Sequence, residues 1–338
     1  MRHTFLLLLL SPGFALAADK PDFPVPETTS SEEPLAKKWS ATKAAEYLDG
    51  VGVNWTRNQK CVTCHTNMPY LMARPLLKGD TGWTEVKKFL DDDVTSWSKG
   101  GKPRGDAYVV ATAAALVFTD AHTTRKLGNT TKQALTKMWA VQRKTGDWSW
   151  LKCDWPPLEH DDYYGAVLAA VTVATAPDKY ADSAEAKAGL EKLRAYLVKT
   201  PAPDLHHKAH LLWASMTLPG LMTADDQKQT IAELKNLQRK DGGWCLPSLG
   251  QYKRRDAKKT PNDTDAESDG YATGLMVYVL RQASVGMDDP AVKNGVAWLK
   301  ANQRESGRWY TRSLNNDRDH YITNAGTAFA VLALNACE

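Results

Sequence analysis

The chain contains several long segments in which almost every residue is small and apolar. Segments of this kind, each about ten residues long, are predicted to be helices that are buried on every side. Between them lie amphipathic segments, such as residues 188–198 and 288–303, which are predicted to be outer helices. The alternation therefore predicts pairs of outer and inner helices. The apolar segments are residues 109–117, 165–174, 272–280 and 325–334.

Most predicted inner helices start at an Asp that is followed two residues later by Tyr, and Asp suits a helix N-cap. The motif recurs about every 50 residues, which is typical of arrays of helical hairpins. A degenerate copy, Asp204-Leu205-His206, has His in place of Tyr. Residues 41–49 and 70–77 are predicted to form a first hairpin, which makes six and favours an all-α (α/α)6 toroid. The regular copies begin at Asp106, Asp161, Asp269 and Asp319.

Three predicted outer helices end in a shared pattern, Gln-x-x-x-Gly-x-Trp, at residues 142–148, 238–244 and 303–309. The Gly is expected to end the helix, and the Gln and Trp are expected to tie that end to its neighbour. The pattern resembles the QW repeats of the squalene-hopene cyclase and protein prenyltransferase β-subunit superfamily over residues 41–338. That resemblance implies a toroid of six hairpins, here as a single domain over residues 39–338.

The segment Cys61-Val62-Thr63-Cys64-His65 is an attachment sequence for one covalent haem c. Cys61 and Cys64 are expected to form the thioether bonds, and His65 is expected to ligate the iron. A chance match or a local disulfide is the alternative. The stretches CVTCHTNMPYLMARPLL, CDWPPLEHDDYYGA and RSLNNDRDHYITNAGTAFAVLAL also resemble bacterial exported proteins in which a haem c motif is embedded in a squalene-cyclase-like toroid.

The N-terminus has the features of a cleavable signal peptide over residues 1–17. A short positive region precedes an apolar core, and Ala15-Leu16-Ala17 matches a cleavage site. Cleavage after Ala17 and a periplasmic or otherwise exported location are predicted, which agrees with covalent haem attachment. Residues 18–38, rich in Pro, Ser, Thr and Glu, are predicted to be a disordered linker.

Composition excludes some partners. The net charge of +4 over 338 residues gives no reason to expect nucleic acid. No segment reaches the length of about 18 uninterrupted apolar residues that a membrane-spanning helix needs. Besides the two cysteines of the haem motif, Cys153, Cys245 and Cys337 remain, and at most one disulfide can join them.

His65 precedes the first inner helix, where the later hairpins have their Asp-x-Tyr starts. Because all inner helices of a toroid run in the same direction, their N-termini share one rim, and the haem is expected at that rim. His206 or His207 is the predicted sixth iron ligand, and a five-coordinate iron is the alternative. The expected neighbours are Asp106, Tyr108, Asp161, Tyr163, His206, Asp269, Tyr271, Asp319 and His320.

The segment Glu159-His160-Asp161-Asp162 resembles the Asp-x-Asp-Asp motif of class II terpene cyclases. By that resemblance, Asp161 is a candidate catalytic proton donor with Asp162 beside it. A role as helix N-cap is the alternative. The zinc site of the prenyltransferases is not predicted, because Asp269-Gly270-Tyr271 has Tyr where the family has its Cys ligand.

The leading expectation is an exported c-type haem protein. It would transfer electrons, or carry out haem-linked redox chemistry on a hydrophobic, isoprenoid-like ligand held in the toroid. The alternatives are an isoprenoid cyclase that uses Asp161 and a lipid-binding module. A redox partner protein is expected, and the sequence does not identify it.

Overall fold

The computed structural model of the protein describes residues 22–79, 81–153, 156–252 and 262–338. Within these ranges the chain forms twelve α-helices, none of them long and apolar enough to cross a membrane. The predicted signal peptide lies outside the described residues. The helices are α1 (Ala41–Gln59), α2 (Asn67–Ala73), α3 (Thr81–Ser98), α4 (Asp106–His122), α5 (Asn129–Ala140), α6 (Asp162–Thr175), α7 (Ala184–Lys199), α8 (Leu205–Ser215), α9 (Ala224–Asn236), α10 (Gly270–Gln282), α11 (Pro290–Ala301) and α12 (Ile322–Asn335).

The helices alternate between an outer and an inner ring. The odd-numbered helices are amphipathic and lie outside, whereas the even-numbered helices are buried along most of their length. Each inner helix contacts the next one around the ring, and α12 contacts α2. The ring is therefore closed, and the six hairpins form the (α/α)6 toroid that the sequence predicts.

Three inner helices begin at the Asp that was expected to cap them. The carboxylates of Asp161, Asp204 and Asp269 each accept a hydrogen bond from the backbone N–H three residues later, at 2.8–3.0 Å. These bonds satisfy N–H groups that have no partner within the helix. The starts of α6, α8 and α10 are thus held by the same chemistry.

The other two Asp-x-Tyr copies are not N-caps. Asp106 lies inside the first turn of α4, and its carboxylate accepts a hydrogen bond from the N–H of Ser149 instead. Helix α12 begins only at Ile322, because the side chain of Asn316 holds Asp319 in a preceding turn.

Each Gln-x-x-x-Gly-x-Trp segment joins the end of one outer helix to the next hairpin. The Gln amide donates to the carbonyl of the Gly in the same segment. It also donates to a carbonyl in the next outer helix or at the N-cap of that helix. The Trp indole donates to a carbonyl ten residues earlier in the chain. That carbonyl is one of the last in its helix, where it no longer accepts from the N–H four residues later. The Gln bonds are Gln142 to Gly146 and Gly189, Gln238 to Gly242 and Ala291, and Gln303 to Gly307 and Ser40, and the Trp bonds are Trp148 to Met138, Trp244 to Leu234 and Trp309 to Leu299.

The N-terminal segment, expected to be a disordered linker, lies against the ring over residues 22–38. The guanidinium of Arg308, only 3% exposed, donates to the carboxylate of Glu33 at 2.6 Å and to two backbone carbonyls of the segment. Leu35 also forms an isolated antiparallel bridge with Arg304. The segment is held because it supplies the partners of a buried charge, which its composition does not reveal.

Candidate functional site

The motif Cys61-Val62-Thr63-Cys64-His65 forms the turn that leads from α1 to α2. The buried side chain of Asn67 holds this turn, because its amide donates to the carbonyl of Cys61 at 2.7 Å and accepts from the N–H of Thr63 at 2.8 Å. Cys61 is partly exposed and Cys64 is buried. The two thiols and the imidazole of His65 are therefore fixed at the start of an inner helix.

His65 lies on the rim where the inner helices begin, as the sequence predicts. Its Nε2 is 3.8 Å from Oε1 of Glu159, just before α6, and its ring stacks on that of Tyr321, just before α12, at a centroid distance of 5.0 Å. The ring of Trp55, from α1, meets it edge-on at 5.0 Å. Three hairpins of the ring thus meet at this imidazole.

A chain of hydrogen bonds leads from Nδ1 of His65 into the joint between the first and last hairpins. Nδ1 lies 2.7 Å from the hydroxyl of Thr66, which accepts from the amide of Asn324 at 3.0 Å. The amide oxygen of Asn324 accepts from the hydroxyl of Tyr47 at 2.7 Å. All four side chains are buried. The orientation of the His65 ring is therefore fixed by α1 and α12 together.

Burial sets the charge of the groups at this rim. Burial lowers the pKa of His65 to about 3, so its imidazole is neutral. Burial raises the pKa of Glu159 to about 7. Burial also raises the pKa of the Cys64 thiol, with a smaller contribution from the nearby Glu159 and Cys153. A neutral imidazole is the form that ligates a metal.

The donor set fits a covalently attached haem. Besides the two thiols and the neutral imidazole, the indole N–H of Trp55 is buried without a hydrogen-bond partner and is available to an acidic group such as a haem propionate. A cavity of about 30 Å³ beside His65 and a recess of about 350 Å³ are both lined by Tyr321. Asp319 also lines both, and Tyr321 is 37% exposed.

His206 and His207 lie on the first turn of α8 and have different partners. Nε2 of His206 lies 2.7 Å from the hydroxyl of Tyr271, and its Nδ1 has no hydrogen-bond partner. His207 lies between two carboxylates, with Nδ1 2.6 Å from Asp204 and Nε2 3.1 Å from Asp161. Burial lowers the pKa of His207, but the hydrogen bonds and charges of the two carboxylates outweigh it and raise the pKa to about 9.

The two candidate catalytic carboxylates have structural partners. Burial works to raise the pKa of Asp161, but the contact with His207 and the bond from the N–H of Tyr164 outweigh it, so the pKa is lowered. Asp162 accepts from the N–H of Trp150 and pairs with Arg143 at 2.9 Å. Both carboxylates are ionised at neutral pH, and neither is poised to protonate an alkene in that form.

Aromatic side chains occupy the centre of the ring. Phe118 of α4 contacts Trp213 of α8 at a centroid distance of 5.6 Å, and His210 of α8 contacts Phe329 of α12 at 6.4 Å. Since α4 and α8 are not neighbours in the ring, and neither are α8 and α12, these contacts cross the lumen. The lumen is therefore filled at these levels, where a hydrophobic ligand was expected.

Among the other histidines and cysteines, Cys153 lies near the haem motif and contributes to the raised pKa of the Cys64 thiol. His160 is exposed, and Nδ1 of His320 accepts from the N–H of Ser313 at 3.0 Å. Within the described part of the chain no disulfide joins any of the five cysteines, so Cys153, Cys245 and Cys337 are not paired with one another.

Several site residues were not identified from the sequence. Thr66 directly follows the haem motif, and that position could have marked it as a partner for Nδ1 of His65. Asn324 and Tyr47 lie 277 residues apart in the chain, so no local pattern connects them. Nothing in the sequence distinguishes Trp55 from the other tryptophans, because only the structure shows that its indole N–H has no hydrogen-bond partner.

Neither a protein-family model nor a curated protein matches the sequence. Among solved structures, a possible member of the GH105 family from Klebsiella pneumoniae subsp. pneumoniae MGH 78578 is similar, with a TM-score of 0.34 and 14% identity. The similarity covers 88% of this chain and 81% of that chain. A likeness this distant carries no conclusion about the site.

Proposed function

We propose that this chain is an exported c-type haem protein that transfers electrons. Cys61 and Cys64 hold one haem through thioether bonds, and Nε2 of His65 ligates its iron. The observation that supports this most is the turn after α1, which joins two thiols to a buried, neutral imidazole whose Nδ1 is already paired with Thr66. A histidine ligand is commonly oriented by such a bond at its other nitrogen.

When bound, the haem supplies a one-electron redox couple. The chain's own residues position it. Thr66 accepts a hydrogen bond from Nδ1–H of His65, which leaves the lone pair on Nε2, and Asn324 holds the Thr66 hydroxyl in place. The indole N–H of Trp55, which has no hydrogen-bond partner, would be a donor for a haem propionate. These groups exclude water from one side of the imidazole.

Electron transfer fits better than redox chemistry on an enclosed hydrophobic ligand. The aromatic contacts that cross the ring leave no lumen at their level for an isoprenoid-like molecule. The site lies at a rim, with Cys61 and Tyr321 partly exposed. A redox partner protein could therefore approach the haem edge without entering the ring.

The sixth ligand, His206 or His207, stays a prediction. His207 would have to give up one of its two carboxylate partners to reach iron. His206 has an unpaired nitrogen, but its ring lies between those of Tyr164 and Tyr271, each at a centroid distance of 5.8 Å. An iron ligated by His65 alone is the alternative, and a high-spin visible spectrum would identify it.

Cysteine variants test the proposal. The exported protein is prepared from a host with c-type haem maturation and denatured, and the haem that stays with the polypeptide is measured. The double variant Cys61→Ser/Cys64→Ser is expected to lose covalent haem, whereas Cys245→Ser, a control at a buried cysteine outside the motif, is expected to keep it. Equal haem retention in the two variants would contradict the proposal.

An isoprenoid cyclase that uses Asp161 is the alternative, and it is the weaker one because, despite burial, the contact with His207 lowers the pKa of Asp161 and keeps its carboxylate ionised. Asp161→Asn, which preserves an N-cap residue, is expected to abolish cyclisation of an isoprenoid substrate and leave haem intact. No turnover by the wild type would remove this candidate. Lipid that copurifies without turnover would instead favour the binding-module alternative.

A further inference from the structure

A cluster at the start of α8 has the composition of a metal site that is separate from the haem motif. Asp204, His206 and His207 each place one potential donor atom within 4.8 Å of the donor atoms of the other two. Two imidazoles and one carboxylate are a frequent ligand set for divalent transition metals. We propose that Asp204, His206 and His207 bind one divalent transition-metal ion such as Zn²⁺.

The partners of the two imidazoles indicate which nitrogen of each faces the metal. Nε2 of His207 contacts Asp161 at 3.1 Å, and Nε2 of His206 contacts the hydroxyl of Tyr271 at 2.7 Å. Metal-bound histidines commonly donate their other ring N–H to a carboxylate or another acceptor in this way. Nδ1 of each ring is therefore the nitrogen that ligates the metal, together with a carboxylate oxygen of Asp204.

His206 provides the second observation that points to a ligand. Its side chain is 0% exposed, and its Nδ1 has no hydrogen-bond partner. A buried polar atom without a partner is costly, and such atoms are uncommon in folded proteins. A metal ion bound at Nδ1 would satisfy it.

The charges at the cluster also match a divalent cation. Asp161 and Asp204 contribute two carboxylates. Nδ1 of His207 and Oδ1 of Asp204 are 2.6 Å apart and share a proton, and the metal would take the place of that proton. With neutral imidazoles, a 2+ ion would balance both carboxylates. The side chains of Asp204 and Asp161 are 14% and 28% exposed, so the ion has a route from solvent at the rim.

Zinc uptake by the full mature, haem-loaded protein tests this site. After dialysis against Zn²⁺, elemental analysis gives zinc and iron per chain, and the iron reports haem. The wild type is expected to take up one zinc per chain. Asp204→Asn, which keeps an N-cap for α8, and His206→Gln are expected to lose it. Asp161→Asn is expected to weaken zinc binding about 10- to 100-fold, because it removes the acceptor that orients His207.

His122→Gln is the matched control, because Nδ1 of His122 is also buried without a partner but lies in the last turn of α4. It is expected to bind zinc like the wild type. Zinc should also raise the thermal unfolding midpoint of the wild type and of His122→Gln, but not that of Asp204→Asn. This midpoint comparison shows whether each variant is folded.

Two results would overturn the site: a wild type that takes up no zinc, or an Asp204→Asn protein that takes up as much as the wild type. A third result would assign His206 to the haem iron instead of to this site. In that case the visible spectrum of His206→Gln would change from low-spin to high-spin, and its zinc content per chain would equal that of the wild type. The site does not depend on the proposed function, because the zinc count is read separately from iron.

Discussion

At the scale of single residues, the buried histidines of one rim differ in charge because their neighbours differ. His207 contacts two carboxylates, which overcome its burial and raise its pKa to about 9, so it is an imidazolium at neutral pH. His65 contacts a hydroxyl, and burial lowers its pKa to about 3. Only a neutral imidazole can offer a lone pair to iron without first losing a proton, so His65 is the better ligand.

The contact between His65 and Thr66 gives a prediction at this scale. Thr66→Val removes the partner of Nδ1 while nearly preserving shape. Because the imidazole then becomes a weaker base, it stabilises ferric iron less, and the reduction potential of the haem is expected to rise. The expected rise is about 20–65 mV, which corresponds to the loss of a hydrogen bond of about 0.5–1.5 kcal/mol. Potentiometric titration followed by visible spectroscopy measures this shift.

Thr172→Val is the control for that measurement. The hydroxyl of Thr172 is also buried, and it donates to the carbonyl of Leu168 within α6, away from His65. Its potential is expected to stay at the wild-type value. Equal potentials for Thr66→Val and the wild type would show that Thr66 does not position the iron ligand.

At the scale of elements, the glycine of each Gln-x-x-x-Gly-x-Trp segment permits two helices to approach closely. Gly146 has φ +101°, and a Cβ there would lie 2.1 Å from the carbonyl oxygen of Lys192 in α7. Gly307 is similar, with a Cβ position 2.0 Å from the carbonyl oxygen of Lys43 in α1. The glycine therefore serves both the helix end and the contact with the next hairpin.

Substitution of Gly146 tests this double role. Gly146→Ala is expected to lower the free energy of unfolding by on the order of 3–5 kcal/mol, because the Cβ meets rigid backbone. Gly100 has a similar φ of +96° but nothing within 4 Å of its Cβ position. Gly100→Ala is therefore expected to cost only the conformational strain of about 1–2 kcal/mol. Denaturant unfolding of both variants separates steric overlap from strain, and equal losses would refute the packing role.

The elements were predictable from the sequence, and the contacts between distant elements were not. Apolar segments and the Gln-x-x-x-Gly-x-Trp pattern are local, so they predicted buried helices, helix ends and the number of hairpins. The bond between Asn324 and Thr66 spans 258 residues and depends on how the ring closes. The filling of the lumen by Phe118 and Trp213 likewise depends on which side chains face one another across the ring.

At the scale of the whole molecule, the joint between the last and first hairpins is held by a buried charge. Arg308 pairs with Glu33 of the N-terminal segment, and its guanidinium lies over the ring of Tyr47 at 5.6 Å. Tyr47 also belongs to the hydrogen-bond chain that ends at His65. Closure of the ring and orientation of the candidate iron ligand therefore share one set of contacts.

Loss of the charge at Arg308 is expected to weaken the whole molecule. Arg308→Met removes the cationic partner of Glu33, which keeps the hydrogen bond from the N–H of Ser306, and should lower the free energy of unfolding by about 3 kcal/mol, as for other broken buried pairs. Arg312→Met removes an ion pair with Asp317 in which both side chains are about half exposed, and it should cost at most about 1 kcal/mol. Urea unfolding compares the two, and similar losses would show that the N-terminal segment does not stabilise the ring.

The most direct test of the central claim is the mass of the denatured protein exported from a host with c-type haem maturation, recorded with its oxidised and reduced visible spectra. A covalent haem predicts the mass of residues 18–338 plus one haem, and a haem spectrum that stays with the polypeptide after denaturation. A mass equal to that of the polypeptide alone would contradict the assignment of Cys61, Cys64 and His65 to a haem.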